Sequence, residues 1–280
     1  MDIPVWEYVV SMSVYFMLLI FIVEFMRKHY RFSSIFWIVT LLTFPLWMMG
    51  NTVEGWFRWS KICSVILPTI LLGFCRISVH EDKKGGLWNR LKGPWMVWFF
   101  YGILFLNILE ATMKDFQEGN VFNGLVGLML CATIPLATNG KYWKFTKASP
   151  GDLLVFTTIG WNFMYTTWNA CFVYGESPEY FASTVCILLA AEMYPIFKNR
   201  PELYVIARVY TLATHMIVRS STFNLIPNVM NAESWYSPDT LKYWGIANLV
   251  LMVPYIGWHM WQIKSGKADK AFFRGRPQPV

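Results

Sequence analysis

Residues 6–31 read WEYVVSMSVYFMLLIFIVEFMRKHYR: an apolar run from Trp6 to Met26 broken by two carboxylates, Glu7 and Glu24, then Arg27, Lys28 and Arg31 in quick succession. A bilayer core takes about 20 apolar residues per helix, and clustered Lys and Arg mark the cytoplasmic end of a span. The stretch therefore predicts a transmembrane helix with its amino-terminal end outside. Met1–Pro4 precedes it without a basic n-region, and no small-residue cleavage site follows. It is expected to stay as a span rather than leave as a signal peptide.

Eight further stretches fit the same measure: about 33–50, 62–78, 94–113, 121–138, 153–174, 180–197, 202–219 and 242–263. The composition agrees, with 55% hydrophobic and 15% charged residues, where soluble domains carry about 25% charged. Fifteen Trp suit the membrane interfaces. With the amino terminus outside, eighteen Lys and Arg fall on the inner side and five on the outer, while Arg208 lies within a span. An even number of spans would break that alternation. The fold class expected is an all-α polytopic transmembrane helical bundle of about nine spans, N-terminus outside and C-terminus cytoplasmic. Residues 1–263 form one domain and 264–280 a basic tail. The net charge of +7 is then a topology signal, and nucleic acid is not an expected partner; the lipid bilayer is.

Two loops stand out. In 79–93, Trp88 and Leu91 lie three apart among basic residues, which suits a short helix on the inner leaflet. Outer loop 220–241, with Asn224, Pro227, Asn228, Asn231 and Trp235, suggests an ordered cap. Pro45, Pro68, Pro135, Pro195 and Pro254 interrupt spans or their ends.

Polar groups at bilayer depth are costly and normally face the protein interior. Arg208, Thr211, His215, Arg219 and Thr222 recur at steps of three or four, giving one polar stripe on a helix. Glu192 and Arg208 lie at matching depths on consecutive spans, which predicts an ion pair that locks the two helices or acts as a gate. Asn107, Glu110 and Asp115 mark the end of the fourth span. Asn162 and Asn169, each preceded by a Trp (Trp161, Trp168), share one face of the sixth. With Asn51, Glu54, Lys61, Asn123, Tyr174, His215 and Arg219 they concentrate polar groups in the outer half. The candidate ligand site is Asn107, Glu110, Asp115, Asn123, Asn162, Trp168, Asn169, His215 and Arg219; interhelical hydrogen-bonding is the competing role for the same residues.

Several chemistries are excluded or unsupported. No Lys lies deep in a span to carry retinal, HExxH and GxSxG are absent, no Walker GxxxxGK[ST] occurs, and all six Asp fall in loops by this reading. The five cysteines form no CxxC pair and read as buried hydrophobes. No metal and no cofactor is expected.

Three passages resemble, together, an uncharacterised family of bacterial multi-pass membrane proteins catalogued as a domain of unknown function: WFRWSK at 56–61, NILEATMKDFQEGNVFNGLVG at 107–127 and WNFMYTTWNACFVY at 161–174. The resemblance is firmest over the fourth to sixth spans. It implies a bacterial inner-membrane location and points to Asn107, Glu110, Asp115, Asn123, Gly124, Trp168 and Asn169. The expected function is transport or permeation of a small polar solute or ion through an outward-facing pocket. The alternatives are a membrane-embedded enzyme acting on a lipid or lipid-linked substrate, or a sensor or assembly subunit.

Overall fold

A computed structural model describes residues 3–49, 55–137, 141–221 and 225–265. Asn51, Glu54, Thr222, Asn224, the tail beyond 265 and the side chain of Arg58 lie outside the described residues.

The chain is nearly all-α. Its helices are α1 Val5–Lys28, α2 Tyr30–Leu42, α3 Phe44–Met49, α4 Trp56–His80, α5 Gly86–Leu91, α6 Pro94–Gln117, α7 Val121–Thr133, α8 Ile159–Glu176, α9 Phe181–Phe197, α10 Tyr204–Ser221, α11 Leu225–Met230 and α12 Pro238–Lys264. One small hairpin, β1 Trp143–Phe145 against β2 Leu153–Val155, sits between α7 and α8.

A helix forms at each of the nine places where a span is expected, but among the described residues five stretches are long and apolar enough to cross a bilayer: Val5–Lys28, Tyr30–Met49, Trp59–His80, Pro94–Gln117 and Pro178–Phe197. Large apolar side chains on the outer faces of the bundle are exposed, among them Val9, Val14, Met17 and Phe21 on α1 and Val250, Leu251 and Val253 on α12. An apolar belt of that extent needs a lipid solvent, so this is a membrane protein.

Two expected spans come out differently. Residues 121–138 yield a 13-residue helix, stopped at Ile134 because a residue before proline is driven out of the α region. The stretch 153–174 starts helical only at Ile159: Leu153–Val155 is a strand, a short apolar run whose periodicity does not separate strand from helix. Loop 79–93 contains the expected helix, α5, whose Leu91 is buried and whose Trp88 packs near Phe74 of α4. It is thus held to the bundle and does not lie free on a leaflet. Beside it, the Arg31 guanidinium holds the loop carboxyl of Glu81 down at about 2.

Loop 220–241 is an ordered cap in its described part. Tyr8 donates to the Asn231 carbonyl, Ser11 to Val229 at 3.1 Å, and Tyr174 to Trp235 at 2.5 Å. These bonds satisfy carbonyls of irregular backbone next to apolar helices, where each bond missing would be costly.

The helices form a ring in which α4, α6, α8, α9 and α10 surround a central space. Outside it, α1 packs on α9 and α10, α2 on α4, α7 on α6, and α12 on α7 and α8. Close approach is set by small residues. A Cβ at Gly73 of α4 would fall 2.3 Å from the Ser34 hydroxyl of α2, and one at Gly127 of α7 would fall 2.0 Å from Thr112 Oγ1 of α6. Gly127→Ala is therefore expected to destabilise the fold by about 1–3 kcal/mol, the usual range for overpacking. Thermal unfolding in detergent reads the loss, and Thr112→Ala in the same background should recover most of it.

Candidate functional site

The central space is a cavity of about 490 Å³, within the ~300–1,000 Å³ typical of small-ligand sites. Its mouth carries ionic side chains: Lys61 bonded to Glu110 at 2.5 Å, Lys114 bonded to Glu176, and Arg219 stacked over the Tyr180 ring at 3.6 Å. Lys61 and Glu110 are 34% and 42% exposed. Below, the walls turn apolar, with Ile62, Val65, Leu104, Phe172, Ile187 and Leu212. The bottom is closed by Trp161, Tyr165, Tyr204 and Leu153 of β2.

Arg208 is set in this wall, 7% exposed. Its Nη2 donates to Asn169 Oδ1 at 3.0 Å, while Nε and Nη1 have no partner. Among the described residues it forms no ion pair. The expected Glu192–Arg208 pair does not form. Thr166 of α8 donates to Glu192 at 3.1 Å and lies 2.9 Å from the Tyr204 hydroxyl, so Glu192 and Arg208 each turn to α8, one to Thr166 and the other to Asn169. Matching depth left their azimuths open, and the helical phase of α9 and α10 aims them at a third helix.

The sequence-derived site divides into two. Asn107, Glu110, Asn169, His215 and Arg219 line the cavity together with Arg208. His215 lies 3.1 Å from the Tyr15 hydroxyl of α1 through Nδ1. Asp115, Asn123, Asn162 and Trp168 do not line it. Asp115 accepts from Asn120 at 3.0 Å and Asn123 at 2.8 Å; Asn248 of α12 donates to Asn123 at 2.9 Å and accepts from Thr167 at 2.9 Å. This chain of amides joins α6, α7, α8 and α12 and is the interhelical hydrogen-bonding that competed with the ligand role. Asn162 accepts from Thr157 at 2.5 Å, near the hairpin. Trp168 Nε1 and Thr112 Oγ1, both against Gly127, lack partners.

The hairpin floor is the feature the sequence concealed. Asp152, 1% exposed, takes a two-pronged bond from Arg27 of α1: Nε to Oδ1 at 2.9 Å and Nη2 to Oδ2 at 2.7 Å. Arg76 of α4, wholly buried, donates to Gly151 at 3.0 Å, Pro150 at 3.0 Å, Met26 at 3.2 Å, the Arg27 carbonyl, and the Tyr210 hydroxyl at 2.6 Å. All five of its donor N–H groups are thus engaged. Arg200 approaches Asp152 at 3.9 Å. Arg27 also donates to Tyr194, which donates to Glu24, itself held by Lys28 at 2.8 Å and Lys198 at 2.9 Å. Gly151 has φ +73, and a Cβ there would meet the His80 side chain at 2.8 Å; only glycine fits that turn against α4.

Among the described residues, no group of three or more His, Cys, Asp or Glu is placed to hold a metal. Glu110 is taken by Lys61 at the mouth, and His215 by Tyr15; Ser177 donates to Glu176, a carboxylate that Lys114 also holds. What the arrangement offers chemically is binding, through a mouth of partly exposed ion pairs, an apolar barrel, and a buried guanidinium with two unpartnered nitrogens. Comparison with family models, with curated proteins and with solved structures gives no match.

Proposed function

We propose that this protein moves a small solute across a bacterial inner membrane, the cavity being its binding chamber and the Asp152 hairpin the closure of its far end. One observation carries the reading: a chamber between five helices is ionic and exposed at one end, and closed at the other by Trp161, Tyr165 and Tyr204 together with Leu153 of a non-helical hairpin held through side chains. Irregular backbone at membrane depth is tolerated where protein encloses it or where it lines a cavity, and transporters use such elements at their sites. In this reading the nine expected segments cross, α7 falling short of the full layer, with the mouth outside and the Arg27, Arg76 and Arg200 end inside, in keeping with the charge asymmetry of the loops. The resemblance of residues 56–61, 107–127 and 161–174 to bacterial multi-pass membrane proteins supports the location. The enzyme alternative has less to support it, since Glu110 is held by Lys61 and His215 by Tyr15, so the two do not act on one another.

The test is flux into proteoliposomes, with methanesulfonate, octanesulfonate, choline and glycerol as probes. Saturable, protein-dependent uptake of at least one is expected, reduced by Asn169→Ala, which withdraws the one acceptor of Arg208. If a probe saturates the cavity in binding measurements while no probe crosses, the transport reading fails.

A further inference from the structure

We infer that the cavity takes a single-chain anion, its charged head on Arg208 and its apolar body along the walls of α4, α6 and α10. The inference deepens the proposed function and rests on the cavity being its ligand chamber.

Among the described residues the lining has four cations, Lys61, Lys114, Arg208 and Arg219, against two carboxylates, Glu110 and Glu176. Both carboxylates are bonded to the lysines. Arg208 is left with an amide oxygen for one nitrogen and nothing for the other two. A buried guanidinium in that state is an uncompensated charge, which proteins otherwise neutralise or hydrogen-bond. Arg76 of the same bundle shows the contrast, since every one of its donors is met. An oxyanion supplies what Arg208 lacks: negative charge and several acceptor lone pairs. Below the mouth the walls beside it are mostly apolar, including Val65, Leu104, Val209, Leu212 and Met216. A bare inorganic anion would leave that surface uncovered, whereas an alkyl or aryl body removes it from water. The cationic mouth favours approach of the same charge.

The chemistry can come from a free amphiphile or from an anionic lipid of the bilayer. The test separates them by tryptophan fluorescence of the full chain in phosphatidylcholine nanodiscs, with empty nanodiscs as the partition control. Octanesulfonate is expected to bind at least about tenfold more tightly than octanol, methanesulfonate or octyltrimethylammonium. Arg208→Gln should weaken octanesulfonate by about tenfold to a hundredfold and leave octanol unchanged. Repeating the titration with phosphatidylglycerol in the disc identifies the source. Competition there means a lipid head occupies Arg208; its absence means a free anion. Octanol or the ammonium ion binding the wild type as well as octanesulfonate overturns the inference without needing any variant to fold, and so does an Arg208→Gln protein that keeps the sulfonate preference. Methanesulfonate binding as tightly as octanesulfonate overturns the apolar half. Binding with the expected preference but no flux defeats transport and leaves this inference standing; flux of choline or glycerol without the preference does the reverse.

Discussion

Asp152→Asn is expected to lower stability by about 3–5 kcal/mol, the cost of leaving a buried charge without its partner. The amide keeps the shape of the carboxylate but removes the charge that faces Arg27 at 2.7 and 2.9 Å and Arg76 at 3.8 Å. It also turns an N–H group towards a guanidinium that only donates. Melting of the detergent-solubilised protein and its elution as a single species are the readouts. Replacing both members, Arg27→Leu with Asp152→Leu, is expected to cost less than the two single changes added together, because an apolar pair needs no compensation. If Asp152→Asn melts with the wild type, the hairpin is held by packing alone and the closure assigned to it is wrong.

Arg76→Lys is the second large effect, about 2–6 kcal/mol. Five acceptors converge on the guanidinium, from α1, α10 and the hairpin turn. An ammonium has three donors, so at least two buried acceptors lose their bonds at about 1–3 kcal/mol each. Charge is conserved in this substitution, which separates the geometry of the fork from simple neutralisation of Asp152. A melt unchanged from wild type would show that the carbonyls find water instead. Because Arg76 and Asp152 share neighbours, the two substitutions combined are expected to cost less than their sum.

Much of this was legible in the residues. Apolar length placed a helix at each expected position, and the rule that polar groups inside a membrane face inward found Asn107, Glu110, Asn169, His215 and Arg219 on one cavity. Two of the misassignments share a cause: depth was matched without the direction of each side chain around its helix. Glu110 and Asp115 lie five residues apart, about 140° around the α6 axis, so one reaches the cavity and the other the packed seam with α7. Glu192 and Arg208 match in depth and face different partners on α8. Arg27 and Arg76 counted as ordinary inner-loop charges, which is what residues at span ends usually are. They are buried because the chain between α7 and α8 folds back over them, a long-range return with no local signature beyond Pro150-Gly151. Lys114, Glu176 and Thr166 were passed over for the same reason, each sitting at a helix end or among aromatics where exposure is the ordinary expectation.

The shortness of α7 has a consequence for how the polypeptide is made. Thirteen residues rise about 20 Å, less than the ~30 Å of a hydrocarbon layer, and the strand pair that follows exposes backbone no lipid can satisfy. Neither piece can partition into the bilayer by itself as it leaves the ribosome. Its neighbours α8 and α12, the latter meeting Asn123 through Asn248, are synthesised later. Stable insertion of α7 is therefore expected to depend on partners that lie after it in the sequence, α8 and α12.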